Sequence, residues 1–167
     1  MVLGSDLMAN IKFSGFMEYE TLLRKLEKDS EAIAKRAVYE GAKVVADAVK
    51  VNISGISPEG PSDYEYERRE KQKDGLKKSL GIASMRNDNG FINVRVGFDG
   101  YNDIKTKKHP NGQPNVMVAR IYNSGTSHNR KQPFFKQAIS QSKEGCKKAM
   151  ALEVDKCIKA IEKGGRT

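Results

Sequence analysis

Tryptophan is absent from the 167-residue sequence, and cysteine and histidine appear only twice each. Two histidines, His109 and His128, cannot supply a metal site, which needs several His, Cys or carboxylate ligands at short spacing. Both have cationic neighbours, Lys107 and Lys108 beside the first, Arg130 and Lys131 beside the second. Positive charge repels a metal, so both read as solvated loop side chains. Cys146 and Cys157 fall in what reads as one helix, about 16 Å apart along its axis. A disulfide needs Cα atoms within about 7 Å, so the two read as reduced thiols facing a core.

Long apolar runs are also missing. Nothing approaches the roughly 18 apolar residues of a membrane span, and the first residues lack the basic and apolar blocks of a signal peptide. Residues 1–10 read as a flexible N-terminal segment or a tag remnant, and residues 11–164 as a single domain. Catalytic signatures are scarce too. Ser124-Gly125-Thr126-Ser127 lacks the Gly-x-Ser-x-Gly pattern of a nucleophile elbow and has no His/Asp pair to serve it. No Gly-rich phosphate fingerprint or Walker motif occurs. Glu65, Glu67 and Glu70 are interleaved with Arg68, Arg69 and Lys71, the pattern of a solvated mixed-charge segment. The chain reads as no enzyme, with no cofactor.

What is present is charge. Charged residues make up 31% and hydrophobic residues 38%, with a net charge of +9 and a pI near 9.5. That balance fits a soluble domain with a core and a field that attracts polyanions. The cations cluster: Arg68, Arg69, Lys71 and Lys73 in one predicted loop, Lys105, Lys107 and Lys108 in another, Arg130 and Lys131 before the last helix. Aromatic interleaving is thin (Tyr64, Tyr66, Tyr101). Phosphate-backbone attraction is therefore a better reading than base stacking, and an ordinary basic surface is the alternative.

Periodicity gives the elements. Ile11-Lys12-Phe13-Ser14-Gly15 alternates like a short strand. Phe16, Tyr19, Leu22, Leu23 and Leu26 mark a short amphipathic helix. Asp29-Ser30 would cap a second helix with the stripe Ile33, Ala37, Val38, Val44, Val45, Ala48 and Val49. Gly41 lies on that stripe, which points to close packing rather than a break. Ile53 to Gly75, with two prolines, three glycines and a dense charge run, reads as a long mobile loop holding at most one helical turn near Glu67–Lys73. Asn89-Gly90 signals a hairpin. It leads into a strand with Ile92, Val94, Val96 and Phe98 on one face. Asp99–Asn115 reads as a second long loop and Val116–Asn123 as a strand. Pro133 opens a long last helix with Phe135 on its core stripe, Phe134 off it, and Gly164-Gly165 ending it. The predicted fold class is α+β: a small antiparallel sheet of three to four strands, covered on one face by two long helices, with two long mobile loops.

Four segments, in order, resemble one family. IYNSGTSHNRKQPFFKQAI, ending at Ile139, looks like a strand end, Gly-Thr, a basic linker, and Pro-Phe leading a C-terminal helix. IKFSGFMEYETLLRKLEK resembles the family's opening strand and Leu-rich helix, AIAKRAVYEGAKVVADAVKVNI its Ala/Val helix, and GLKKSLGI its Leu-x-x-Ser-Ile element. The family is the gene-product-ten-like tail-component family of long-tailed phages (siphophages), which are head–tail joining or tail-completion (neck) proteins. The resemblance spans about Ile11 to Gly164, with Gly125-Thr126 plus Pro133-Phe134-Phe135 its most specific part. There are departures. The loop before Leu76 is longer and more charged, Asp74-Gly75 stands for Thr-Gly, and Ser124 replaces an acidic residue.

The resemblance implies a structural virion protein made in the host bacterial cytoplasm and built into the head–tail junction. It would form a homo-oligomeric ring, touching head-connector and tail proteins while genomic DNA passes through the lumen, with no membrane contact. Phe134, Arg130, Lys131, Gly125 and Thr126 would serve the oligomer interface, with Phe134 either an anchor there or a lid on the sheet edge. Arg68, Arg69, Lys71, Lys73, Lys105, Lys107 and Lys108 would line DNA-facing or assembly loops. The alternative is a basic nucleic-acid-binding module. A small hydrolase or nuclease lacks a residue set.

Overall fold

The computed structural model describes residues 16–60 and 62–164, with side chains from residue 21 onward. In chain order they form α1 (Phe16–Ser54), α2 (Asp63–Ser79), β1 (Leu80–Ile82), β2 (Arg86–Asp88), β3 (Phe91–Asn93), β4 (Val96–Phe98), α3 (Asn115–Ser124) and α4 (Phe134–Glu162).

The two helices expected before residue 54 are one. Leu22, Leu26, Ile33 and Ala37 keep a single face across the expected break, so the apolar stripe never restarts. Ser30 does not cap anything. Its hydroxyl donates back to the Glu27 carbonyl at 2.8 Å, a local bond compatible with an uninterrupted helix. At ~1.5 Å per residue, the 39 residues of α1 extend about 58 Å.

Helices α1 and α4 form an antiparallel pair, with the most extensive contact among the described elements. Asn52 Nδ2 donates to the Phe134 carbonyl and to Gln141 Oε1, both at 3.2 Å. Gly41 sits against Cys146 and Met150, and Ile33 packs with Cys157 and Ile161. Numbers rising along α1 thus meet numbers falling along α4. The expectation of close packing at Gly41 holds, because a Cβ built there would come within 2.8 Å of Met150 Cγ and 2.9 Å of Cys146 Sγ. Both cysteines are free.

The main core lies at one end of this pair. Val49, Ile53 and Ile56 meet Leu76 of α2, Val118, Ala119 and Tyr122 of α3, and Phe134 and Ala138 of α4. Leu80 and Phe98 close it from the sheet side.

Two corrections to the predicted elements arise here. The first is α2, where a loop was expected. Ser62 Oγ accepts from Glu65 N at 3.3 Å, an N-cap. Glu67–Lys71, Glu65–Arg68 and Glu70–Lys73 pair at 2.8, 2.7 and 3.4 Å along the helix. Its buried face holds only Gln72 and Leu76, too little to register as an apolar period. The second is α3, where a strand was expected. Val118, Ala119 and Tyr122 are its buried apolar positions, a one-and-four spacing that belongs to a helix.

The strands make one twisted β-hairpin. β1 pairs β4 antiparallel with Leu80↔Phe98 and Ile82↔Val96, and β2 pairs β3 with Arg86↔Asn93 and Asp88↔Phe91. Between the ladders residues 83–85 oppose 94–95, so the register slips by one, as in a β-bulge. Asn89 and Gly90 have φ of 53° and 90°, the type I′ turn that Asn-Gly predicts. The fold class is α+β, with small antiparallel pairings and long helices packed beside them. The expected strand Ile11–Gly15, the 1–10 segment and Gly165 lie outside the described residues.

Helix α4 begins at Phe134 with Pro133 as its N-cap residue, one residue later than read. Ala138, Cys157 and Ile161 face the core as their spacing predicts, but at the start of the helix Phe134 takes the core position expected of Phe135, and Ile139, also expected on the stripe, turns outward. Phe134 is only 3% exposed, while Ile139 is 49% exposed. Phe134 meets Phe98 edge-on, with centroids 6.1 Å apart, and Phe135 completes the trio at 6.3 Å. Phe135 is only partly buried. The helix ends where Gly164, at φ 77°, donates its N–H to the Ile161 carbonyl at 3.0 Å.

Candidate functional site

The segment between α3 and α4 is held from both sides. Gly125 has φ 75°, and a Cβ there would meet Lys131 N and Cβ at 3.0 Å. Glycine is demanded both by the left-handed backbone and by the close approach of the chain to itself. Thr126 and Asn129 close a tight loop through paired backbone bonds of 2.9 and 3.3 Å. Thr126 Oγ1 also accepts from His128 N at 3.3 Å and from Asn129 Nδ2 at 3.2 Å. Gln132 fastens the whole segment to the end of α1. Its Oε1 accepts from Ser57 N at 2.8 Å and its Nε2 donates to Ser57 O at 3.0 Å. Gln132 carried no signal in the sequence, since an isolated Gln before Pro has no local signature.

Gly125, Thr126, Arg130 and Lys131 therefore share one short, braced loop, with Thr126, Arg130 and Lys131 exposed. Phe134 does not join them at the surface. It belongs to the main core, which removes it as a ready surface anchor and puts it under the sheet at Phe98.

The predicted cationic residues divide into two kinds. Arg68, Arg69, Lys71 and Lys73 ride on α2, each three or four residues from a glutamate partner. The Arg69 side chain is 11% exposed and reaches the His128 carbonyl at 3.5 Å, tying α2 to the braced loop. Lys105, Lys107 and Lys108 are different: all three are exposed, and none has an ion pair among the described residues.

Those lysines stand at the apex of a structured excursion. Asn102 Oδ1 accepts from Ile104 N at 3.0 Å and Gln113 N at 3.2 Å. Asn115 Nδ2 donates to the Asp99 carbonyl at 3.0 Å. Thr106 and His109 exchange backbone bonds of 3.1 and 3.0 Å. At its base, Gln113 accepts from Gln72 Nε2 at 2.8 Å, and Gln72 Oε1 accepts from the Tyr122 hydroxyl at 3.2 Å. Burial pushes the Tyr122 phenol up to about 12, against the opposing pull of Arg69 and Arg68. The sequence pattern gave no hint of this polar chain, because its members are far apart along the chain.

Two concavities flank these features. One, of about 370 Å³, sets Lys71 and Lys78 against Asp74, Asp99 and Asp103. The other, of about 430 Å³, lies between the hairpin and the α1–α4 pair. It is lined by Val38, Ala42 and Val45 of α1, Val94 and Val96 of the hairpin, and Ile139 and Met150 of α4. Phe91 at the hairpin tip is 78% exposed. Among the described residues no His, Cys, Asp or Glu side chains gather in a metal-binding group, and no helix is long and apolar enough to cross a membrane.

No curated protein and no solved structure matches the chain. Residues 19–107 match the HK97-gp10-like family, described as "Bacteriophage HK97-gp10, putative tail-component". The match takes in most of α1, all of α2 and the hairpin, and ends in the lysine loop. The Gly125-Thr126 and Pro133-Phe134-Phe135 elements lie beyond it. Covering more than half of the sequence, the match shows that this chain belongs to the HK97-gp10-like family of bacteriophage tail components.

Proposed function

We propose that the chain is a head–tail joining, tail-completion component of the phage neck. Copies assemble into a closed ring at the portal–tail junction, contact head-connector and tail proteins, and let DNA pass through the lumen. The observation that carries this reading is the apolar groove between the hairpin and the α1–α4 pair, which the described side chains leave open. An apolar concavity of that size bordered by polar surface marks an association site. A ring requires head-to-tail contacts that close on themselves, and a groove on one side of the molecule fits that geometry.

The exposed triad Lys105, Lys107 and Lys108 supports a lumen-facing position. Lysines without an ion pair among the described residues attract a phosphate backbone, whereas Arg68, Arg69, Lys71 and Lys73 of α2 are already engaged by glutamates. The braced loop with Arg130 and Lys131 is proposed as the rim of the subunit contact. The protein acts through shape and contact, and no reaction is assigned to it.

Electron microscopy and sedimentation of the purified chain test the ring. Closed rings of defined subunit number are expected as concentration rises, and open filaments or a monomer at every concentration would refute it. The rival reading, a basic nucleic-acid module, is favoured by the lysine triad alone. It predicts tight duplex retention at physiological salt by the isolated chain. A neck component is expected to bind weakly there.

A further inference from the structure

We propose that the hairpin tip of one copy docks in the apolar groove of the next, with Phe91 as its anchor among Val38, Ala42, Ile139 and Met150, and Asp88 facing Lys143. The inference deepens the ring reading above, names the two surfaces that meet, and rests on that reading.

The tip is built to present Phe91. Asp88 and Phe91 stand opposite each other in the ladder, so their side chains share one face. Asn87 and Ile92, the next pair, share the other. Asn87 Nδ2 donates to Glu31 Oε1 of α1 at 3.3 Å. The Asn87 face thus lies towards α1, and Phe91 turns outward, 78% exposed. The tip is also braced. Gly90 N donates to Asn87 Oδ1 at 2.8 Å, and Asn93 Nδ2 donates to Asp88 Oδ2 at 2.6 Å. An aromatic side chain on a braced turn loses little freedom when it is covered, which suits it to anchor an interface.

The groove matches the tip in chemistry and in charge. Ile139, Cys146 and Met150 line it from α4, at spacings that set them along one row of the helix. Lys143 belongs to the same row, one turn after Ile139 and one turn before Cys146. It is exposed and has no ion pair among the described residues. Asp88 is likewise exposed and without an ion pair there. The anchor has an anion beside it and the groove has a cation along its wall, so the two surfaces are opposite in sign.

Reach decides in favour of a second copy. The Asn87–Glu31 bond holds the tip against α1, about 10 Å along the helix from Val38, where the groove begins. Fixed there with Phe91 pointing outward, the hairpin cannot fold into its own groove. Tip and groove are different patches of one molecule, so each copy gives one and receives the other. That is the head-to-tail contact a closed ring needs.

The test uses the full chain. Phe91→Ala is expected to weaken self-association about tenfold or more in sedimentation velocity. It should leave the unfolding midpoint of the monomer unmoved, because Phe91 is exposed in the single chain. Asp88→Lys and Lys143→Asp should each weaken association, and the chain carrying both should regain it, since the charges then meet with their signs exchanged. Phe91→Cys, mildly oxidised, should form a disulfide between copies with native Cys146, which lines the groove. The same chain carrying Cys146→Ser should not. If Phe91→Ala associates like the native chain, or the double charge exchange fails to restore association, hairpin docking is overturned while a ring built on other contacts survives. If the cross-link forms but the particles are open chains, docking stands and the ring reading falls.

Discussion

The two ends of the α1–α4 pair use the same helices and reach different states. At the crowded end Val49, Ile53 and Ala138 are fully enclosed because α2, α3 and the hairpin are stacked on them. At the far end Ile33, Cys157 and Ile161 have, among the described residues, Leu22, Leu26 and Val154 packed against them. An amphipathic stripe supplies one buried face, and a core needs that face covered from several directions. The sequence of α1 does not change character between Leu26 and Val49. What changes is what lies on top.

That contrast can be broken most directly by truncation. Leu76→Ala and Ile53→Ala, at fully enclosed positions, should each cost about 3–5 kcal/mol in denaturant unfolding. Ile33→Ala should cost about 2 kcal/mol, since the thin end relaxes around the loss. Equal losses at both ends would remove the distinction.

Backbone positions come next. Gly125→Ala must adopt a positive φ and press on the Lys131 backbone, costing on the order of 2 kcal/mol. Gly41→Leu, between the two ends, should cost about 1–3 kcal/mol by forcing α1 from α4. Calorimetry of both variants checks the order, and a stabilised Gly41→Leu would show that the helices are not in close contact there.

Tyr122 gives a pH handle on the crowded end alone. Its folded pKa is raised to about 12 by burial, while an unfolded tyrosine titrates near 10. Between those values the unfolded state holds fewer protons, so stability falls as pH rises. The stabilisation is complete below about pH 10 and is lost towards pH 12, on the order of 2 kcal/mol. Tyr122→Phe should flatten this alkaline decline and cost about 1 kcal/mol at neutral pH through the lost bond to Gln72. An unchanged alkaline profile in the variant would assign the decline to other groups.

Hydrogen exchange should show the smallest difference. Amides around Leu22–Ile33 should open at lower free energy than those around Val49–Ile53. Uniform protection along α1 would show that both ends open at the same free energy and would remove the contrast.

Much of this was legible beforehand. The apolar stripes marked α4 and the helical character of α1, the latter read as two helices where there is one, Asn89-Gly90 marked the turn, and Gly41 marked a close approach. The α2 helix escaped because its stability comes from a Ser62 cap, glutamate–cation spacing and one enclosed Leu76, none of which makes an apolar period. The α3 segment escaped because Met117, Ala119 and Ile121 alternate as a strand would, although Val118 and Tyr122 are what the core takes. The candidate site fared similarly. Gly125 and the lysines were visible as residue types, but Gln132, the Gln72–Gln113–Tyr122 chain and the groove join positions dozens of residues apart.

Local repetition along the chain was sufficient for the last long helix, the helical character of α1 but not its continuity, the tight turn and the strongly basic composition, because helical and turn preferences act within a few residues. Which phenylalanine enters the core and, among the described residues, which cations lack an ion pair and where an apolar groove stays open were decided by tertiary packing. Those outcomes depend on the element that lands opposite each face, and no short window of sequence contains that neighbour.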